Sequence, residues 1–248
     1  MANTYFQFKQ FRVTQERGVM KVCTDACLQG AYAADYLLKH SDDFPWGNGR
    51  PFRILDLGTG TGLLTLMLCQ ALPEAVFDAI ELEKEACIQA RENFLASPWK
   101  ERIHLLEADI RGYHSLARYP FVLSNPPFYQ QQLKSPQDAK NGAKHDTTLR
   151  HDQLLDTVVR QLGDEGLFCV MIPAGAFAQF SAQARIRGLH PVHILWVSQT
   201  PAHSPFRSIA FFSHKADKIQ EDTLCITDEA GGYSRPFQSL LHPYYLDL

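Results

Sequence analysis

From residue 52 to about residue 213, short apolar runs alternate with amphipathic segments, and that alternation leaves few folds open. It is the pattern of a parallel sheet covered by helices. The expected strands are 52–57, 76–82, 102–107, 121–124, 166–172, 193–198 and 208–213, with helices at roughly 62–72, 83–95, 148–162 and 174–187. Seven strands with helices on both faces make a doubly wound α/β fold of Rossmann-like type, mostly parallel. Ligands of such a fold bind beyond the carboxyl ends of the strands, near the point where strand order reverses.

Residues 1–50 precede the alternation and form a small N-terminal extension to a main domain spanning 51–248. A strand-like stretch at 6–15 and a turn at 16–18 lead to 19–22. Thr24 or Asp25 can then cap a helix running to about His40, with Ala26, Leu28, Tyr32, Tyr36 and Leu37 on its apolar positions. Two irregular stretches, 41–51 and 129–148, interrupt the pattern, and the second follows the fourth strand, where long loops are usually functional. With 45% apolar and 21% charged residues the chain is ordinary globular material, and 248 residues bury a core without help from disulfides or a structural metal. Cys23 and Cys27 are spaced like half a metal site, but no second pair stands at zinc spacing, so the six cysteines read as reduced thiols. The first twenty residues are polar and basic, and no run approaches the roughly 18 apolar residues of a membrane span, so the expectation is a soluble, cytoplasmic protein. A net charge of −3 means that any nucleic acid would be held by local basic patches.

Ile54–Gly62 reads ILDLGTGTG, a buried strand followed by a glycine-rich turn and the start of a helix. Gly58, Gly60 and Gly62 are spaced G-x-G-x-G, unlike the G-x-G-x-x-G of dinucleotide folds, yet they serve a similar end. Glycine lets the backbone turn sharply and lets a ligand approach without a Cβ in the way. Asp56 stands just before the turn, where a carboxylate can accept from a ligand's amino group, directly or through water. A cationic methionyl moiety tolerates that charge and a pyrophosphate does not, which favours S-adenosylmethionine over NAD. The next strand ends in DAIELE; Glu81, 19 residues beyond Gly62, can accept from both ribose hydroxyls, with Asp78 and Glu83 as nearby alternatives. The third strand leads into Asp109 and Ile110, placed to meet an adenine amino group and ring face; a helix cap is the plainer role for Asp109. Thr59, within the turn, and Leu82, beside Glu81, complete the expected cofactor contacts.

SNPPF, residues 124–128, follows the fourth strand. Consecutive prolines fix φ and offer no N–H, which leaves a rigid corner with free carbonyls. An amine conjugated to a ring is a poor nucleophile because its lone pair is delocalised. Acceptors on both of its N–H groups favour a pyramidal nitrogen with the lone pair aimed at a methyl group. Asn125 Oδ1 and the Pro126 carbonyl can supply those acceptors, Pro127 stiffens the corner, and Phe128 can stack on an extruded base. Alone, the stretch would equally be a strand-terminating turn with a core phenylalanine; after the fourth strand of a G-x-G-x-G pattern it reads as catalytic.

With both motifs in place the chain resembles the class I amino-group methyltransferases and, more closely, the tRNA1(Val) (adenine(37)-N6)-methyltransferase family. The resemblance covers almost the whole chain, from KQFRVTQERGVMKVCTDACLQGAYA through ILDLGTGTG, AIELEKEACIQARENFLASPWKERI and SNPPF to YSRPFQSLLHPYYL. It implies transfer of one methyl from S-adenosylmethionine to N6 of the adenosine beside the anticodon of a valine tRNA. It carries the catalytic role to Asn125, Pro126, Pro127 and Phe128, the glycine motif to Asp56, Gly58, Gly60 and Gly62, and the ribose acid to Glu81. Lys21, Thr24 and Asp25 resemble the segment that closes over the cofactor's methionine end, although Thr24 and Asp25 serve equally well as a helix cap. Ser124 replaces the aspartate of many DNA-modifying relatives, and N-P-P variants also serve glutamine and guanine, so rRNA guanine N2 or a release-factor glutamine is the alternative target. The short preface disfavours the release-factor enzymes. A non-catalytic RNA- or NAD-binding Rossmann protein is disfavoured by the glycine spacing and by SNPPF. Lys9, Arg12, Arg17, Lys134, Lys140, Lys144 and Arg150 flank the expected mouth of the site and can engage RNA phosphates, or can be simply solvated charges.

Overall fold

The computed structural model describes residues 3–17, 20–41, 52–127 and 149–248, and within these the expected alternation is present. In chain order the elements are β1 (Tyr5–Gln7), β2 (Arg12–Thr14), α1 (Thr24–Lys39), β3 (Phe52–Leu57), α2 (Leu63–Ala71), β4 (Ala75–Glu81), α3 (Lys84–Ala96) and β5 (Ile103–Glu107). They continue with β6 (Tyr119–Ser124), α4 (His151–Gln161), β7 (Leu162–Pro173), α5 (Phe177–Ile186), β8 (His190–Ser198), β9 (Arg207–Ser213), β10 (Gln220–Cys225) and α6 (Arg235–Leu241).

The main sheet has the order β10-β8-β9-β7-β6-β3-β4-β5. Its pairings are parallel except at β9, which runs antiparallel to both β7 and β8. The chain steps outward from β3 through β4 to β5, then returns to lay β6 on the other side of β3. The reversal point of the sheet therefore lies between the carboxyl ends of β3 and β6, where the two motifs emerge.

Each of the seven expected strands forms, but the sheet has eight, a correction to the count. The added β10 pairs with β8 from Gln220↔His193 onward, and its residues Gln220, Glu221, Asp222 and Thr223 are exposed, so no apolar run announces it. The expected single strand at 6–15 is instead a hairpin of β1 and β2, with Tyr5 opposite Thr14. The short α6 was also unforeseen; Ser234 caps it by accepting from Phe237 N at 3.2 Å, with Pro236 in its first turn.

Side chains alternate across the sheet and fill two apolar layers. Ile54, Phe77, Phe121 and Phe211 face a layer shared with Leu28 and Leu37 of α1, Met67 of α2, Phe94 of α3 and Phe237 of α6. Phe8, Phe11 and Val13 join that layer, so the extension and the main domain share one core. Leu55, Val122, Phe168 and Phe212 face the opposite layer, closed by Leu154 and Val158 of α4 and Phe180 of α5. Each such buried side chain contributes about 1.5–3 kcal/mol. Among the described residues no helix is long and apolar enough to cross a membrane, and no group of His, Cys, Asp or Glu is arranged to hold a metal ion.

Candidate active site

The glycine turn after β3 is built by three residues in the left-handed region: Gly58 (φ 75°), Gly60 (φ 58°) and Gly62 (φ 84°). They serve two purposes. A Cβ at Gly58 or Gly60 would meet nothing within 4 Å, so both face an open cradle. A Cβ at Gly62 would lie 2.4 Å from Phe94 Cε1, so this glycine lets α2 start close against α3. The turn is pinned to its neighbouring strand, with Gly58 N and Thr59 N donating to Ile80 O at 2.9 and 3.0 Å.

Two carboxylates frame the cradle. Asp56 is fully buried; its Oδ2 accepts from Thr59 Oγ1 and Thr65 Oγ1, both at 2.7 Å, while Oδ1 has no partner among the described residues. Burial pushes its carboxyl up to about 6, against the opposing pull of the two threonine hydroxyls. Glu81 ends β4 and accepts from Gly60 N at 2.8 Å through Oε2, and from Leu82 N and Glu83 N, each at 2.9 Å, through Oε1. It thereby ties the glycine turn to the start of α3. Of its two sequence alternatives, Asp78 is engaged by Arg53 at 2.5 Å and Tyr119 at 2.7 Å, and Glu83 is the exposed residue preceding α3.

Beyond β5, Asp109 caps the short 3-10 turn Ile110–Gly112 by accepting from Arg111 N at 2.9 Å. The Arg111 guanidinium, at 2.8 Å through Nε, holds the Asp109 carboxyl below its usual range. The plainer role thus describes what Asp109 does within the protein. Ile110 is buried and Leu82 exposed at the edge of the cradle.

The proline corner after β6 stands beside the glycine turn. Ser124 Oγ donates to Leu57 O at 2.7 Å, joining the ends of β6 and β3, and Ser124 O accepts from Gln29 Nε2 of α1 at 2.8 Å. Next in the chain, Asn125 Oδ1 is buried without a partner among the described residues. Pro126 is buried and Pro127 exposed; Phe128 lies outside the described residues.

The helix-cap expectation for Thr24 and Asp25 is not met. Cys23 occupies the N-cap of α1 with no side-chain cap bond, and Asp25, inside the first turn, accepts from Ala26 N at 3.2 Å through Oδ1 and from Arg207 Nε at 2.9 Å through Oδ2. Lys21 and Thr24 are exposed. Among the expected RNA contacts, Lys9 donates to His242 O at 2.5 Å and Arg12 to Gln7 Oε1 at 2.9 Å, with its guanidinium 4.4 Å from the Tyr5 ring centre. Arg17 pairs with Glu92 at 2.6 Å and Glu85 at 3.4 Å, and Arg150 with Asp152 at 2.8 Å. Lys134, Lys140 and Lys144 lie outside the described residues.

Sequence reasoning missed four residues that organise the site: Thr65, Gln29, Asn93 and Arg207. Asn93 accepts from Thr14 N at 2.9 Å and donates to Thr61 O at 2.8 Å, linking the hairpin to the glycine turn. A polar residue inside an apolar helical stretch, as at Gln29, was the available signal; its partner 95 residues away was not readable.

The donor set fits a nucleoside carrying a cationic amino-acid tail: an open cradle over two glycines, an unpartnered buried carboxylate oxygen beneath it, and a second carboxylate on the adjoining strand. An open sheet with its single antiparallel strand near one edge, a G-x-G-x-G turn and an Asn-Pro-Pro corner across the reversal point define a class I S-adenosylmethionine-dependent methyltransferase. Comparisons with known proteins agree. A model of the methyltransferase small domain matches residues 33–149. Proteins named tRNA1(Val) (adenine(37)-N6)-methyltransferase are 37% identical over 244 residues in Klebsiella pneumoniae (97% of this chain, 94% of that one) and 36% identical over 248 residues in Phocaeicola vulgatus (all of both chains). The chain belongs to the tRNA1(Val) (adenine(37)-N6)-methyltransferase family. Among solved structures, a predicted O-methyltransferase from Agrobacterium tumefaciens shares the fold with a TM-score of 0.61 at 17% identity, covering 90% of this chain and 99% of that one. The human methyltransferase 10 domain containing protein does so at 0.54 and 18%, covering 83% and 90%.

Proposed function

We propose that this chain transfers a methyl group from S-adenosylmethionine to N6 of adenosine 37 in the anticodon loop of a valine tRNA. The observation that carries the reading is the Asn125–Pro126 corner: a buried amide oxygen with no partner among the described residues, fixed beside the glycine cradle through Ser124 and Leu57.

In this reading Gly58 and Gly60 cradle the cofactor, Glu81 accepts from its ribose hydroxyls, and Ile110 and Leu82 border its adenine. Asp56 Oδ1 answers its amino group, and Lys21, Thr24 and Asp25 border its methionine end. When bound, the cofactor supplies an electrophilic sulfonium methyl. The chain's own contribution is alignment and charge. Asn125 Oδ1 and Pro126 O each accept one N–H of the adenine amine, which pyramidalises the nitrogen and turns its lone pair toward the donor. As positive charge develops on that nitrogen, the two oxygens stabilise it. Neither is basic enough to keep a proton, so the amine's surplus proton leaves to water. Phe128 is assigned the stacking role against the base.

An anticodon-loop adenosine is already unpaired, so its extrusion costs little. Lys134, Lys140 and Lys144 are proposed phosphate contacts, with Lys9 and Arg12 of the hairpin. Arg17 and Arg150 would exchange one anion for another on binding. Radiolabelled methyl transfer to tRNA lacking the modification, followed by nucleoside mass spectrometry, tests the reading. The expected product is N6-methyladenosine in a valine tRNA; methylated guanosine, or no methylated nucleoside, would overturn it.

A further inference from the structure

We propose that Arg207 is a positioning residue for the transfer reaction, acting through Asp25 to hold the first turn of α1 at the rim of the site. This rests on the reading above, in which Lys21, Thr24 and Asp25 border the methionine end of the cofactor.

Arg207 opens β9, the one antiparallel strand of the main sheet, so its N-terminal end reaches the edge at which the parallel strands finish. It lies opposite Pro173, the last residue of β7, and β7 pairs with β6, which runs directly into Asn125. From there Arg207 Nε reaches Asp25 Oδ2 at 2.9 Å across 182 residues of sequence. The Arg207 and Asp25 side chains are 27% and 17% exposed, and among the described residues this is the only ion pair with both partners less than a third exposed. Partial burial makes such a pair worth more than a solvated one, and losing one partner strands the other.

The Asp25 carboxylate is divided, Oδ2 accepting from Arg207 Nε and Oδ1 from Ala26 N at 3.2 Å in the first turn of α1, so it joins that turn to β9. One turn further on, Gln29 of the same helix donates to Ser124 O. Residues four apart share a helix face, so α1 is fastened at successive turns to the ends of β9 and β6. Arg207 thus sets the height and rotation of the turn that carries Thr24 and that Lys21 leads into.

The test is a double-mutant cycle of Arg207→Met and Asp25→Asn, read by calorimetric cofactor affinity and by kcat and KM for cofactor and tRNA. Arg187→Met, which breaks the Arg187–Asp156 pair (2.6 Å) between α5 and α4, serves as control. Each single variant is expected to weaken cofactor binding about tenfold, with the double variant no worse than either and KM for tRNA little changed. Arg207→Lys should recover part of the loss, and the control should bind as wild type. Wild-type affinity in Arg207→Met, or additive losses, would overturn the inference. Should Arg207→Met fail to fold, Arg207→Lys with Asp25→Asn carries the cycle. If the wild-type protein binds cofactor but methylates no tRNA, the proposed substrate fails while the affinity cycle still decides the role of Arg207. Failure of the wild type to bind cofactor removes both.

Discussion

The glycine turn after β3 and the proline corner after β6 stand side by side, yet they are made in opposite ways. In the first, residues that tolerate positive φ turn the backbone, and its amides at 58, 59 and 60 are spent on Ile80 and Glu81. In the second, rings that lack an amide hold the chain, and at least one oxygen, Asn125 Oδ1, has no partner among the described residues. On the proposed cofactor side the turn amides are satisfied internally, and Asp56 Oδ1 is the buried acceptor left open among the described residues. On the proposed substrate side Asn125 Oδ1 awaits a donor, the role assigned above to the exocyclic amine. The proposed transfer needs both: a backbone turn held in shape before binding, and acceptor oxygens that binding completes.

The largest effect should come from breaking the unsatisfied side. Asn125→Ala removes an acceptor used most in the transition state, so turnover should drop by about 10²–10³-fold with cofactor affinity nearly intact. Single-turnover methyl transfer beside calorimetry checks this, and retained turnover would refute the role of Asn125. On the satisfied side, Gly62→Ala drives a Cβ into Phe94 at φ +84° and should cost about 3 kcal/mol in chemical denaturation. Gly58→Ala, whose Cβ enters open space, should cost about 1 kcal/mol of stability but weaken the cofactor more than Gly62→Ala does.

A pH titration sharpens the comparison further. Burial holds the Asp56 carboxyl near 6 in the folded state, above its unfolded value of about 4. The folded state therefore keeps the proton longer than the unfolded one. This group's contribution to stability is full below about pH 4 and is lost as pH rises through about 6. Cofactor affinity should move the other way, weakening about tenfold between pH 7 and pH 5 as the anion is neutralised. Asp56→Asn should give weak, pH-independent binding; a profile matching wild type would remove Asp56 from the cofactor site. The smallest effect is expected at the seam between the two regions. Ser124→Ala loses the bond to Leu57 O and should cost about 1 kcal/mol in thermal or chemical unfolding, with a modest fall in turnover.

Where the physics is local, the chain is legible in advance. Apolar runs of strand length mark β3 through β9, and the glycine spacing and the two prolines mark both walls of the site, because each depends on neighbours within a few residues. What stayed hidden depends on distant partners. β10 presents Gln220, Glu221, Asp222 and Thr223 to solvent and is a strand because β8 offers it a ladder. Arg207 reads as one cation among many until β9 turns it toward Asp25. Arg17 and Arg150 look like a basic patch in sequence, yet their guanidiniums are occupied by Glu92 and Asp152, which no count of charges reveals.

The polar outer strand has a consequence for handling the protein. An open sheet margin is a template on which another chain can hydrogen-bond, and lysines, acids or bulges usually discourage it. Here that border carries two adjacent exposed carboxylates, Glu221 and Asp222, which an edge-to-edge dimer would bring close to those of the second copy. Concentrated solutions should therefore resist fibre-like stacking through this border, and removing both charges with Glu221→Gln and Asp222→Asn is the change under which it would begin.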